Sequence, residues 1–408
     1  MKDGGIRRIE GGVTSAGGFR AAGVQAGIKY RDRNDVALIV ADAPCAAAAM
    51  FTTNAVAAAP VVYDRKAVAG GRVQAILANS GCANACTGEE GLKDAETSAS
   101  ATAEALGIDR SLVLVASTGV IGRRLPMDRL LSGIKLAAAA LDDTPAAGLD
   151  ANKATLTTDT RPKQAAVRFW LDGKKVTIGG MSKGSGMIEP NMATMLGFVT
   201  TDVSISPALL RRALLKAVAA SFNHLVVDGD ESTNDSVFLM ASGKAGNAKI
   251  TRADGRFDLF VKALTEVCVS LARQMAADGE GATKFVTVKV KGALTQRDAE
   301  RAARAIAKSP LAKTSWFGKD PNWGRVLAAA GYSGAKVDDR RAEVYYGKTW
   351  AYRRGAVAGE AQLEKLAKEL EGLELAVTVD LRLGDAEAVI YTCDLSLEYV
   401  HINADYTT

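Results

Sequence analysis

The sequence predicts a mixed α/β fold (α+β) of two lobes, with sheets packed against helices. Three observations support this. With 408 residues, the chain is long enough for two or three lobes that each bury a core. Short apolar runs of strand length alternate loosely with longer stretches whose apolar residues recur at helical spacing. No GxGxxG follows a strand, and no internal repeat is detectable.

Taken in order, Val36–Val40 and Val73–Leu77 read as buried strands, and Leu92–Leu106 as a helix that Gly107 ends. Leu112–Ala116 is a further apolar run, closed by the turn Ser117-Thr118-Gly119-Val120-Ile121-Gly122. Pro126 opens an amphipathic helix that runs to about Leu141, since proline suits a first helical turn. Val167–Leu171 and Val176–Ile178 flank Asp172-Gly173 and predict a hairpin. A glycine-rich stretch from Gly179 to Gly186 leads to Pro190, and a strand is expected beyond Thr194. The second half predicts helices over Pro207–Ala220, Leu259–Ala277, Gln296–Ala307 and Gln362–Glu371. It predicts strands over Phe285–Val290, Ala342–Tyr346, Leu375–Leu381 and Ala388–Cys393, and a strand-like end over Leu397–Thr408.

Composition narrows the function. The formal charge of +5 comes from 51 basic and 46 acidic residues scattered along the chain, too dilute for a nucleic-acid surface but compatible with small anionic substrates. The N-terminal ten residues carry charges and no apolar core, so neither a signal peptide nor a membrane anchor is expected. No uninterrupted apolar stretch is long enough to span a bilayer. Five cysteines, an odd number spread thinly, do not form a disulfide framework. A cytoplasmic protein is the expectation.

Two histidines, His224 and His401, limit histidine-based catalysis, and neither lies in a nucleophile or metal motif. Cys82-Ala83-Asn84-Ala85-Cys86 has the wrong spacing for CxxC and reads as small buried thiols beside a turn. Asp228–Asp235 fails the calcium-loop pattern, with no glycine at its sixth position and no glutamate at its twelfth. It reads as a turn rich in side-chain-to-backbone hydrogen bonds. Gly179–Gly186 fails the phosphate-loop pattern because Lys183 precedes its glycines.

What remains is Thr194. A threonine hydroxyl needs an adjacent base, and an N-terminal threonine supplies one in its own α-amine, which titrates near pH ~8. To create that terminus, Thr194 Oγ would attack the Ala193 carbonyl, form an ester by N→O acyl shift and be hydrolysed. On local pattern alone, a threonine that merely begins a strand is the commoner arrangement.

The run Lys183-Gly184-Ser185-Gly186-Met187-Ile188-Glu189-Pro190-Asn191-Met192-Ala193-Thr194-Met195-Leu196 closely resembles the self-processing segment of the ornithine acetyltransferase family, glutamate N-acetyltransferases of arginine biosynthesis. Further blocks resemble the family in order: Gly11–Thr14 with Gly18–Gly23, Asn79–Ala85, Ser117–Gly122, Thr157–Thr160, Asp278–Lys284, Asp320–Arg325 and Ile402–Tyr406. The resemblance covers essentially the whole chain. Two departures stand near the C-terminus: His401 where a lysine is usual, and Thr407 before the last threonine where an arginine is common.

The resemblance implies a self-cleaving, N-terminal-nucleophile-type acyltransferase, cut between Ala193 and Thr194 into an α chain (1–193) and a β chain (194–408). It implies that Thr194 takes an acetyl group from N2-acetylornithine, releases ornithine and passes the acetyl to glutamate in a ping-pong reaction. Thr118 and Gly119 match the family's oxyanion-hole pair. Thr157, Lys183, Thr194, Glu280, Asn403 and Thr408 match its substrate-binding positions, although Thr158 stands beside Thr157 and spacing does not separate them. Lys183 suits an α-carboxylate and Glu280 an ammonium. No metal and no cofactor is expected; acetyl-CoA as a second donor is left open, as is a specialised-metabolite role. A heterotetramer of two α and two β chains is implied, with no nucleic-acid or membrane partner. The competing readings are a self-processed N-terminal-nucleophile hydrolase or aminopeptidase, in which water takes the acyl group, and an uncut anion-binding protein built on Gly179–Gly186.

Overall fold

The computed structural model describes residues 5–189 and 195–405. Ala193, Thr194 and Thr408 lie outside the described residues. Nine strands of the first lobe form one sheet: β1 (Arg7–Ile9), β2 (Phe19–Val24), β3 (Val36–Phe51), β4 (Arg72–Asn79), β5 (Val113–Ser117), β6 (Lys163–Leu171), β7 (Lys174–Lys183), β8 (Leu196–Thr201) and β9 (Ser236–Ala241). Their order is β1-β6-β7-β8-β9-β3-β4-β5, with β2 beside the first half of β3. β3 is long because it serves two neighbours: a register break between Val40 and Cys45 bends it, and beyond the break it pairs with β9.

The expected hairpin forms between β6 and β7. Asp172 and Gly173 have φ of 51° and 71°, the paired left-handed geometry of a tight two-residue turn. β7 and β8 are antiparallel from Ile178↔Thr201 to Lys183↔Leu196, and β8 runs parallel to β9. The segment that carries Thr194 therefore joins two hydrogen-bonded neighbours within the sheet.

Helices α1 (Ala59–Ala67), α2 (Gly88–Leu106), α3 (Met127–Ala139), α4 (Pro145–Thr155), α5 (Pro207–Ala219) and α6 (Gly255–Ala277) cover this sheet. Phe260, Leu264, Val267 and Leu271 of α6 bury against Val167, Phe169, Ile178 and Val199 of the sheet, in a core shared with Leu210 and Leu214 of α5. On the other face, Ala151 and Ala154 of α4 pack with Ile39, Phe198 and Phe238. Gly107 ends α2 at φ 65°, as its sequence predicts.

The second lobe is a separate sheet of β10 (Phe285–Ala293), β11 (Glu343–Tyr346), β12 (Thr349–Arg353), β13 (Ala356–Val357), β14 (Glu374–Asp380) and β15 (Ala386–Cys393), ordered β13-β12-β11-β14-β10-β15. Its core contains Ala303 and Ile306 of α7 (Gln296–Lys308), Trp316 of α8 (Pro310–Phe317), Val326 of α9 (Trp323–Tyr332) and Leu366 of α10 (Glu360–Glu371). Phe285 and Cys393 reach back into the first lobe's core and join the two.

Two expectations are corrected. Leu397–Asp405 is a helix, α11, and not a strand. Hydrogen bonds near and far accompany it: Ser396 Oγ accepts from Glu398 N at 3.1 Å and donates to Gly281 O at 2.6 Å, while Asn403 Nδ2 donates one turn back to Tyr399 O at 2.9 Å. Leu397 and Val400 point to solvent at 72% and 61% exposure. Cys86 is exposed, on a turn of φ 56°, whereas Cys82 is buried as expected.

Candidate active site

A cavity of about 160 Å³ opens where β5, β7, β8 and β9 begin or end. It brings together six of the residues singled out from sequence: Thr118, Gly119, Thr157, Lys183, Glu280 and Asn403. Thr158 lines it too, and its Oγ1 lies 2.8 Å from Ser185 Oγ, so both members of the ambiguous threonine pair reach the cavity. Neither histidine does. His224 sits beside α5, its pKa lowered by burial, and His401 is exposed on α11.

Both flanks of the segment that carries Thr194 are anchored at this wall. Upstream, Asp228 accepts from Met187 N and Ile188 N at 2.6 and 2.8 Å, and buried Glu189 pairs with Lys308 and Arg304. Downstream, Met195 O accepts from Ser236 N at 2.9 Å, and Met195 itself lines the cavity.

Thr118 and Gly119 follow β5 in a turn that is locked to the loop after β4. Ser117 Oγ donates to Asn79 Oδ1 at 2.7 Å, Thr118 N to Asn79 O at 3.0 Å, and Ala83 N to Val120 O at 2.9 Å. Gly119 has φ of +129°, and a Cβ there would strike the backbone of Gly81 and Cys82, so only glycine fits. Thr118's amide is taken, but Lys183 Nζ donates to its Oγ1 at 3.2 Å, which leaves the hydroxyl hydrogen to point elsewhere. The Gly119 N–H has no backbone acceptor among the described residues. A hydroxyl and an amide held this way are suited to receive a developing oxyanion.

Behind Lys183 lies a buried charge cluster. Lys163, fully buried, donates to Asp159 Oδ1 at 2.6 Å and to Asp278 Oδ2 at 2.5 Å. Asp159 also accepts from Gly184 N at 2.7 Å and Thr157 N at 3.2 Å. Burial works to raise the Asp159 carboxyl, but Lys183, Lys163 and the hydrogen bonds outweigh it and hold the group at about 2. Asp278 in turn accepts from Thr160 N at 3.1 Å and from its hydroxyl. The cluster thus ties the Thr157–Thr160 block to the residue two before Glu280. Glu280 accepts from Asn403 Nδ2 at 2.8 Å, its own N–H donates to Ser185 O at 2.8 Å, and a Cβ on Gly186 would strike its carboxyl group.

The Asp228–Asp235 stretch is the hydrogen-bonded turn expected, yet its last four residues, Ser232–Asp235, also line the cavity, which the sequence did not reveal. Asn234 Nδ2 donates to Ala83 O at 2.6 Å and Ser117 O at 2.9 Å, and so fixes the two loops at the Thr118–Gly119 turn. Asp235 is buried, and its Oδ2 has no hydrogen-bond partner among the described residues. The available signal was a run of polar residues placed directly before the wholly apolar strand Val237–Met240. Of the glycine-rich stretch, Gly184 and Gly186 face the cavity. Gly179 and Gly180 lie within β7, and a Cβ on Gly179 would strike the Gly12 carbonyl, so glycine there allows close packing.

The model of the ArgJ family matches residues 20–408. The chain belongs to the ArgJ family. An arginine biosynthesis bifunctional protein ArgJ from Symbiobacterium thermophilum is 52% identical over 404 residues, covering 98% of this chain and 99% of its own. One of the same name from Geobacter sulfurreducens is 48% identical, covering 96% and 99%. A glutamate N-acetyltransferase from Methanothermobacter thermautotrophicus is 48% identical, covering 99% of both. Of the blocks through which the sequence resembled the ArgJ family, those around Thr118, Thr157, Lys183, Glu280 and Asn403 meet at the cavity. Asp320–Arg325 instead starts α9 in the second lobe, where Asn322 Oδ1 caps Arg325 N at 3.1 Å and Trp323 stacks on Tyr352 at 4.4 Å.

Proposed function

We propose that this ArgJ-family chain is a glutamate N-acetyltransferase of arginine biosynthesis, carrying acetyl from N2-acetylornithine to glutamate on Thr194. The observation that supports it best is the convergence on one cavity of an oxyanion-type turn, a lysine and a carboxylate, with Met195, the residue bonded to Thr194, in its wall. In the first half-reaction Thr194 Oγ attacks the acetyl carbonyl, and the Thr118 hydroxyl and Gly119 N–H receive the oxyanion. Ornithine leaves, glutamate enters the same cavity, and its amine takes the acetyl group. Lys183 suits the α-carboxylate common to both amino acids, and Glu280 with Asn403 forms a polar end that can meet an ammonium or, through the amide, a carboxylate.

Self-cleavage before Thr194 precedes this chemistry and yields chains 1–193 and 194–408, which the β7–β8 ladder would keep together. Two copies of each chain make up the proposed particle, and its size in solution tests that count. Among the described residues no helix is long and apolar enough to cross a membrane, and cytoplasmic residence is proposed. Acetyl-CoA is proposed as a second donor; the name of the Symbiobacterium relative says bifunctional without naming the donor. Purified protein given N2-acetylornithine or acetyl-CoA, with and without glutamate, tests these points. N-acetylglutamate should form from N2-acetylornithine, and release of free acetate in its place would favour a hydrolase.

A further inference from the structure

Once the chain is cut, the Thr194 amine can act as the base for its own hydroxyl. Before the cut that nitrogen is a peptide amide and accepts no proton at neutral pH. The first reaction therefore needs a different proton acceptor. Among the described residues lining the cavity, three side chains titrate: Lys183, Glu280 and Asp235. The Lys183 ammonium donates to Thr118 Oγ1 at 3.2 Å. Glu280 is half-buried, and its Oε2 already accepts from Asn403 at 2.8 Å.

Asp235 differs from both. It is 3% exposed, it lines the cavity, and its Oδ2 has no partner among the described residues. Its backbone is fixed, because Asp235 O accepts from Thr52 N at 2.9 Å and the next residue, Ser236, donates to Met195 O at 2.9 Å. Asp235 therefore borders the point where the chain enters β8, one residue beyond Thr194. A buried carboxyl oxygen left without a donor is an unusual arrangement, and at a cavity wall it points to a proton that comes and goes.

We propose that Asp235 is the proton acceptor for self-cleavage at Thr194. This rests on the self-cleavage described above. The Asp235 carboxylate takes the hydrogen of Thr194 Oγ, and Oγ bonds to the Ala193 carbonyl carbon. The C–N bond of the tetrahedral centre breaks, and the Asp235 acid returns its proton to the departing nitrogen, which becomes the free amine. Water then adds to the ester carbon, and the C–Oγ bond breaks. Oγ keeps one water hydrogen, and Ala193 gains a carboxyl group. One water is consumed, one peptide bond is lost, and Asp235 ends as it began.

Burial holds Asp235 well above the ordinary carboxylate range; Ser232 and Lys183 pull it down, and Glu231 pushes it up. The carboxylate fraction rises with pH, so cleavage should quicken as pH rises and slow in acid. The test follows conversion of the full-length chain into two by denaturing electrophoresis, across a pH series, for wild type and Asp235→Asn, Asp235→Glu and Asp235→Ala. Asp235→Asn should slow cleavage by about 100-fold or more, the size of a general-base contribution, and flatten the pH profile. Asp235→Glu should cleave at an intermediate rate, and added formate should restore cleavage to Asp235→Ala, which a purely structural role would not produce. Cleavage of Asp235→Asn at the wild-type rate overturns the assignment, as does a block that follows Glu280→Gln and spares Asp235→Asn. If Asp235→Asn does not fold, absence of both formate rescue and Asp235→Glu cleavage overturns it. A wild-type chain that stays whole at every pH instead removes the self-cleavage on which the assignment rests.

Discussion

Two segments border the cavity, and their buried aspartates behave oppositely. Asp159, in the stretch that reaches from Thr157 to Lys163, has two ammonium groups and two backbone N–H donors around it, and burial is overcome. Asp235 is just as enclosed and also feels Lys183, but among the described residues no cation forms an ion pair with it, and burial prevails. The same residue type, equally far from water, is a fixed anion in one segment and a reluctant acid in the other. Partners decide the charge state, and burial only sets how much is at stake. The first segment positions, because a fixed charge can hold Lys183, Gly184 and the Thr160 loop in register. The second can exchange a proton.

The sharpest way to break this contrast is Lys163→Met, which removes the one buried ammonium bound to both Asp159 and Asp278 and leaves only Lys183 and the exposed Arg161 beside them. A cost of about 3–5 kcal/mol is expected for such a broken buried pair, read by denaturant unfolding. A loss under about 1 kcal/mol would show that water or rearrangement compensates the cluster. Thr118→Val removes the hydroxyl that Lys183 holds between the two segments. The acetyl-transfer rate should fall by about 100- to 1000-fold, with unfolding stability little changed.

The two aspartates should also part company with pH. Asp159 has a folded pKa below its unfolded value, so its stabilisation is present above about pH 4 and is lost as pH falls toward about 2. Asp159→Asn should therefore cost roughly 2 kcal/mol at neutral pH and little at the acid end. Asp235 has the reverse sign: its raised pKa destabilises the fold above the unfolded carboxylate range, so Asp235→Asn should raise the neutral-pH melting temperature and change little in acid. Smallest is Asn403→Ala, which removes one hydrogen bond to Glu280 and should raise KM about fivefold while the pH behaviour of both aspartates stays put.

Much of the fold was legible because its signals are local. Gly107 stops α2, Asp172-Gly173 turns β6 into β7, and the long apolar stripe of α6 was plain from Leu259 onward. The C-terminal helix was not, because the bonds of Ser396 and Asn403 depend on contacts with Gly281 and Glu280 far away in sequence. In the site, the residues drawn from the family resemblance, Thr118, Gly119, Thr157, Lys183, Glu280 and Asn403, meet at one cavity. The residues missed were of another kind. Asp159, Lys163 and Asp278 act through a cluster whose members lie 115 positions apart between Lys163 and Asp278, and no spacing rule links them. Asn234 and Asp235 sat in a stretch whose turn chemistry was read correctly and whose place in the sheet was invisible.

The most direct measurement is the intact mass of the purified protein before and after incubation with N2-acetylornithine in the absence of glutamate. The account predicts two chains, residues 1–193 and 194–408, and an added acetyl group on Thr194 of the second that disappears when glutamate is supplied. A single uncut chain, or two chains of which neither gains an acetyl group, would contradict it.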